Sequence, residues 1–197
     1  QGAKVGRVSF GTGYIRHSMI EPFIENLIGY PPLMPFLFDE PAERLPHLLL
    51  HNGTIWRWNR PLIGFNKQGK PHLRIEQRVL PAGPSIPDVM ANMMFYIGLT
   101  FYLAQKKDLE MSFPFEDCKN NFYHSAKYGL DAEIRWFGKK VNVQSLVVNE
   151  LLPEVSKILI EMGVDKDQVD FYINGVIKQR SLTGQNGSNW QRAFVNL

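Results

Sequence analysis

Cysteine is almost missing from this chain. Cys118 is the single thiol in 197 residues, which excludes an internal disulfide framework and suits a reducing compartment. Its neighbours Asp117 and Lys119 do not mark it as an activated nucleophile, so it reads as a structural thiol. Blocks of like charge are also missing. The 22 lysines and arginines are scattered among 19 acids, for a net charge of +3; this does not call for a nucleic-acid partner, but small anions remain suitable. The start of the chain lacks the short apolar core and small-residue cleavage site of a signal peptide. The longest apolar run, residues 93–103, adjoins Asn92 and falls short of the roughly 20 residues a membrane span needs. These absences lead to the expectation of a cytoplasmic protein that binds neither membrane nor nucleic acid.

What the chain does contain is the material of one folded domain, with 44% hydrophobic residues. Residues 18–28 have helical spacing through Met19, Phe23, Ile24 and Leu27, and Gly29 follows as a stop. The glycine-rich start, residues 2–13, contains Gly11-Thr12-Gly13 but lacks the Lys-Ser/Thr of a P-loop, and reads as a flexible approach. Residues 30–46 hold five prolines among large apolar residues, which predicts an irregular connection packed on the core or covering a cleft.

Residues 48–80 read as a β-hairpin, with the turn at Asn66-Lys67-Gln68-Gly69-Lys70. A helix over 86–106 is then capped by Ser85 with Asp88 three residues on; it is apolar on almost every face and belongs in the middle of the fold. Further helices are predicted over 115–128, over 144–162 with Gly163 as stop, and from Asp165 onward. A second hairpin lies at 131–143. The expected class is α+β, with antiparallel hairpins packed against several helices in a single domain. Within it, 1–47 is an irregular approach and proline-rich loop, 48–106 a hairpin plus core helix, and 107–197 a helical C-terminal region.

The chemistry concentrates on the first hairpin. In His72-Leu73-Arg74-Ile75-Glu76-Gln77-Arg78 the two-residue period of a strand puts His72, Arg74, Glu76 and Arg78 on one face. One carboxylate thus sits between two guanidinium groups, and a row of this kind can hold a metal-bound polyanion, since arginine presents a planar fork of donors that cannot be neutralised. The alternative is a solvent-facing stripe of alternating charge. On the preceding strand, Trp56 and Trp58 fall with Arg60 on one face, where an aromatic ring beside arginine can stack a nucleotide base or fill the core. His51 and His72 flank the hairpin and are candidates to bind an anion or polarise a substrate. With no cysteine partner among them, the five histidines do not predict a zinc site.

The order Trp58-Asn59-Arg60-Pro61, then Arg74-Ile75-Glu76-Gln77-Arg78, then a long apolar helix resembles the second half of the glutamate–cysteine ligase family, in its bacterial carboxylate–amine ligase-like branch. Residues 126–132 resemble the family's segment before its last hairpin, and Gly184 with Trp190-Gln191-Arg192 resembles its C-terminal signature, so the resemblance covers residues 48–195. It implies a fold like the C-terminal half of a glutamate–cysteine ligase or glutamine synthetase-like enzyme, and an ATP- and Mg²⁺-dependent ligation through an acyl phosphate. It implies that Glu76 is a metal ligand, that Arg78 is a phosphate clamp, and that Arg74 and Arg60 contact substrate carboxylate or phosphate. On this reading the chain is the C-terminal part of a larger ligase-like protein, and an N-terminal segment or partner chain completes the site for carboxylate and amine substrates. The competing expectation is a noncatalytic domain of the same fold that binds a small anion or a partner chain. Single-stranded nucleic-acid binding ranks below both, because the charge is dispersed.

Overall fold

The computed structural model describes residues 6–80 and 83–195, so residues 2–5 of the glycine-rich start, Pro81 and Ala82 lie outside the described residues. Helices combine with small sheets, as the α+β class requires. The chain divides into two compact units, Gln1–Leu80 and Pro81–Leu197, and the division falls inside the stretch 48–106 that the sequence keeps together.

In the first unit β1 (Val8–Ser9) precedes α1 (Glu21–Gly29). The Glu21 carboxylate accepts the backbone N–H groups of Arg16, His17 and Ser18, which fixes the entry into α1. The proline-rich stretch is irregular, as expected, apart from a single turn at Ala42–Arg44.

The next element departs from expectation. Residues 46–53 form a helix, α2 (Pro46–Gly53), so His51-Asn52-Gly53 does not open a strand. Asn26 Nδ2 donates to Asn52 Oδ1 at 2.9 Å, and Asn52 Nδ2 donates to the Pro61 carbonyl at 3.0 Å. These two buried amides tie α2 to α1 and to the strand that follows, a bond pattern no local sequence signal announces.

The single strand expected to lead into the hairpin is broken at Trp58 into β2 (Trp56–Arg57) and β3 (Asn59–Phe65). β2 pairs in parallel with β1, Val8 opposite Trp56, so the start of the chain is not merely a flexible approach. Arg57 turns inward from β2 and donates to Glu25, Ser9 and the Tyr30 hydroxyl, which gives a buried guanidinium three partners, one of them a carboxylate. β3 and β4 (Pro71–Gln77) form the expected antiparallel hairpin, with Arg60 opposite Glu76, Leu62 opposite Arg74 and Gly64 opposite His72. Asn66 Oδ1 accepts the N–H groups of Gln68 and Lys70, and Gly69 takes the positive φ (+76°) that the turn demands.

The second unit is mostly helical. It runs α3 (Ile86–Ala104), α4 (Leu109–Ser112), α5 (Phe115–Tyr128), β5 (Glu133–Trp136), β6 (Lys139–Asn142) and α6 (Val143–Leu146). A π-helical stretch, Val147–Leu151, leads into α7 (Leu152–Glu161); α8 (Lys166–Val169) passes through a second one, Asp170–Ile177, into α9 (Lys178–Thr183), and α10 (Gly187–Val195) closes the chain.

The core joins Ala91 and Met94 of α3 to Leu152, Val155 and Leu159 of α7, and to Val169, Ile173 and Ile177. At Gly98 the backbones come so close that an added Cβ would lie 2.6 Å from Val155 Cγ1. The expectation that α3 lies in the middle of the fold is corrected. Only the seam Ala91, Met94, Gly98 and Tyr102 is buried, while Ile86, Val89, Met93 and Phe101 are exposed. Among the described residues α3 is also the one helix long and apolar enough to cross a membrane by length and composition.

Candidate functional site

The register of β3 and β4 puts Arg60, Leu62 and Gly64 on the same face as Glu76, Arg74 and His72. β4 ends at Gln77, yet the backbone N–H of Arg78 still donates to the Trp58 carbonyl at 2.9 Å, so the pairing carries Arg78 into line with the row. One atom, Glu76 Oε2, gathers the donors. Arg60 reaches it through Nε at 3.1 Å and Nη2 at 2.8 Å, and Arg78 through Nη1 at 2.9 Å.

The surroundings hold both arginines in place. Arg60 Nη1 also donates to the Gly53 carbonyl at 3.3 Å, at the C-terminal end of α2, and Trp56 Nε1 donates to the same oxygen at 3.1 Å. The Arg78 guanidinium lies over the Trp56 ring, 4.3 Å from its centroid. Arg60 is nearly buried (side chain 11% exposed), Arg78 less so (23%), and Glu76 is still reached by solvent (37%). The Arg78 hydrogen bond, opposed by desolvation and reinforced by Arg60, holds the Glu76 carboxyl below the ordinary carboxylate range.

This arrangement carries two positive charges against one negative and is suited to an anion. A divalent cation fits these residues poorly, because Oε2 is taken by three N–H donors and both guanidinium groups repel a second cation. Among the described residues Glu76 Oε1 accepts no hydrogen bond, and no group of three metal-ligating side chains exists. The metal ligand that the resemblance implies at Glu76 would need phosphate oxygens and further ligands from elsewhere.

The other expected site residues divide. Arg74 lies one position along the same face, exposed, opposite Leu62. His72 shares the face, across from Gly64, but four residues from Glu76 it stands roughly 13 Å along the strand at about 3.3 Å per residue. Trp58 sits at the break between β2 and β3 and contributes its carbonyl to Arg78. His51 does not join the row, because it belongs to α2, where its Nε2 lies 3.0 Å from the Asn26 carbonyl oxygen. With His47 it forms a His-x-x-x-His pair one helical turn apart, a spacing already present in the sequence, and His47 Nε2 accepts the Phe38 N–H at 3.4 Å. Trp56, expected beside Arg60 on a face shared with Trp58, lies under the guanidinium of Arg78, a partner that alternation along one strand did not indicate.

On the other face of the hairpin, Ile63 and Leu73 help line an apolar cavity of about 900 Å³ together with α1, α2 and residues 32–37 of the proline-rich segment. Compared with family models, with curated proteins and with solved structures, the chain matches none.

Proposed function

We propose that the chain is part of an ATP-dependent carboxylate–amine ligase of the glutamate–cysteine ligase type, working in a reducing, cytoplasmic compartment, and that the Arg60–Glu76–Arg78 cluster binds the phosphate of its nucleotide and acyl-phosphate intermediate. The observation that carries this reading is the convergence of two guanidinium groups from adjacent strands on one solvent-reached carboxylate. Arg78, with Arg74 beside it on the row, offers N–H donors to phosphoryl oxygens, and the nearly buried Arg60 keeps the local charge positive.

In such a reaction a substrate carboxylate attacks the γ-phosphorus of ATP and ADP leaves. An amine then attacks the acyl carbon and expels inorganic phosphate. Preorganised cations assist the first step because charge spreads over the phosphoryl oxygens in its transition state. Magnesium, where it takes part, would come with the nucleotide, since one arginine-bound carboxylate is not a magnesium site.

Calorimetry with MgATP, together with a coupled ADP-release assay on glutamate and several amines, tests the reading. We expect weak nucleotide binding and little or no turnover by the 197 residues alone. Absence of nucleotide binding, or binding unchanged in Arg78→Ala, refutes it.

The engagement of Glu76 by both arginines favours a second reading, a noncatalytic domain of the same fold that holds a small anion or an acidic partner chain. The two separate on whether a longer protein carrying these residues releases ADP.

A further inference from the structure

We infer that Glu76 acts as an internal stand-in for a polyanion: it closes the strand to free divalent cations and yields the two arginines to a diphosphate group, so that the anion must arrive before or with any metal. This rests on the reading that the cluster binds phosphate. Three N–H groups of Arg60 and Arg78 already point at a single oxygen, Oε2, within 2.8–3.1 Å. A phosphoryl oxygen offers them the same acceptor chemistry with more charge.

The donors are held from behind. The Gly53 carbonyl fixes Arg60 and the Trp56 ring supports Arg78, so both guanidinium groups keep their place when the carboxylate gives way. The Glu76 side chain is the most exposed of the three, so solvent reaches the carboxylate that the exchange displaces. In the exchange two guanidinium–carboxylate contacts are replaced by guanidinium–phosphate contacts, and the released carboxylate, whose Oε1 accepts no hydrogen bond among the described residues, becomes available to a cation that the anion brings along. Before that, the arginines disfavour any cation at the carboxylate.

The consequence has a sign that separates it from simpler roles. Glu76 competes with the ligand in the absence of metal, so removing its charge strengthens metal-free anion binding. A residue that only positions the arginines does the reverse.

Titration calorimetry on the 197-residue chain tests this with Mg²⁺ alone, with pyrophosphate in the presence of a chelator, and with both. The wild type is expected to show no saturable Mg²⁺ binding at millimolar concentration without anion and to bind metal-free pyrophosphate. Glu76→Gln is expected to bind metal-free pyrophosphate about tenfold more tightly, a gain of about 1.4 kcal/mol, and to lose the further tightening that Mg²⁺ gives the wild type. Saturable Mg²⁺ binding by the wild type without anion overturns the inference, and because it needs no variant it stands even where Glu76→Gln folds poorly. Weaker metal-free binding by a folded Glu76→Gln overturns it as well, and makes Glu76 a positioning group within a phosphate site that survives. If the wild type binds pyrophosphate under none of these conditions, the phosphate site itself is refuted, and this inference with it.

Discussion

Two strands of this chain spell glutamate, one residue, arginine, and they come to different ends. In Glu76-Gln77-Arg78 the carboxylate and the guanidinium bind each other, and Arg60 joins them from the neighbouring strand. In Glu133-Ile134-Arg135, on β5, the two do not meet. Glu133 pairs with Lys140 across the hairpin, and Arg135 leans toward Asp117 at 4.0 Å. Lys140 and Arg135 are 75% and 67% exposed where Arg60 is 11% exposed.

The spacing is the same, so the spacing is not the site. Opposite Glu76 the register places Arg60, and opposite Glu133 it places Asn142. Under the first cluster lie the Trp56 ring and the Gly53 carbonyl, which hold the arginines at their task. The Glu133–Lys140 pair between β5 and β6, exposed to solvent, is of the kind whose measured worth is at most about 1 kcal/mol.

The sharpest way to break this comparison is activity. In whichever longer protein releases ADP, Glu76→Gln and Arg78→Ala are each expected to lower turnover on the order of a hundredfold or more, as loss of a preorganised charge does. Glu133→Gln and Arg135→Ala are expected to leave it near the wild-type rate. Turnover and thermal midpoint measured on the same samples check both. Equal losses at the two motifs make the β4 cluster no more special than the β5 pairs.

Stability gives the next contrast. Arg60→Ala removes two charge-assisted hydrogen bonds to Glu76 and one to the Gly53 carbonyl, all at a nearly buried side chain. The expected cost is about 1–3 kcal/mol in urea unfolding. Lys140→Ala, which opens an exposed pair, is expected to cost at most about 1 kcal/mol. Smaller than the Arg60→Ala effect is Trp56→Leu, which takes the ring from beneath Arg78 and is expected to cost about 0.5–1 kcal/mol, with Trp56→Phe restoring part of it. An unfolding curve for Trp56→Leu that overlays the wild type removes the ring from the account.

These residues also mark how far the sequence could be read. The two-residue period of a strand put Arg74, Glu76 and Arg78 on one face, while the place of Arg60 opposite Glu76 emerges only from the strand register. Residues 115–128 were legible as a helix, and the stop at Gly163 fell where the backbone takes a positive φ (89°), whereas Gly29 is the last residue of α1 itself and the chain leaves the helix at Tyr30. Three things were not legible.

The first was α2. It follows Leu45, a leucine at positive φ (54°), and has no side-chain cap; Pro46 at its first position is its start signal, and the trio Leu48-Leu49-Leu50 fits a strand as well as a single helical turn. Its placement comes instead from the Asn26–Asn52 contact between residues far apart in sequence. The second was the break at Trp58, which resets the alternation and sends Trp56 under Arg78 and Arg57 into the core. That break accompanies pairing with β1 near the start of the chain, again a nonlocal cause. The third was the burial of α3. Its composition is apolar on nearly every side, and only packing at Gly98 selects the seam that faces α7.

The smallest expected effect is the pH dependence of the same carboxylate. Arg78, and after it Arg60, hold the Glu76 pKa below its ordinary value in the folded chain. A group whose folded pKa is depressed adds stability that is fully present above the unfolded value, about 4.3 for glutamate, and is lost as pH falls through the lower folded value. Wild type and Glu76→Gln are therefore expected to differ in urea midpoint by a constant amount from about pH 7 to about pH 5, with the gap closing below about pH 4, where the protonated acid resembles the amide. With a side chain 37% exposed, solvent screens the pair and the gap is small. Lowering the ionic strength widens it, since screening by salt weakens with dilution. A gap that stays constant down to about pH 3 means the guanidinium contacts do not act on Glu76 in solution. Their place between the strands then reflects packing alone, and the cluster on β4 becomes the equal of the exposed pairs on β5.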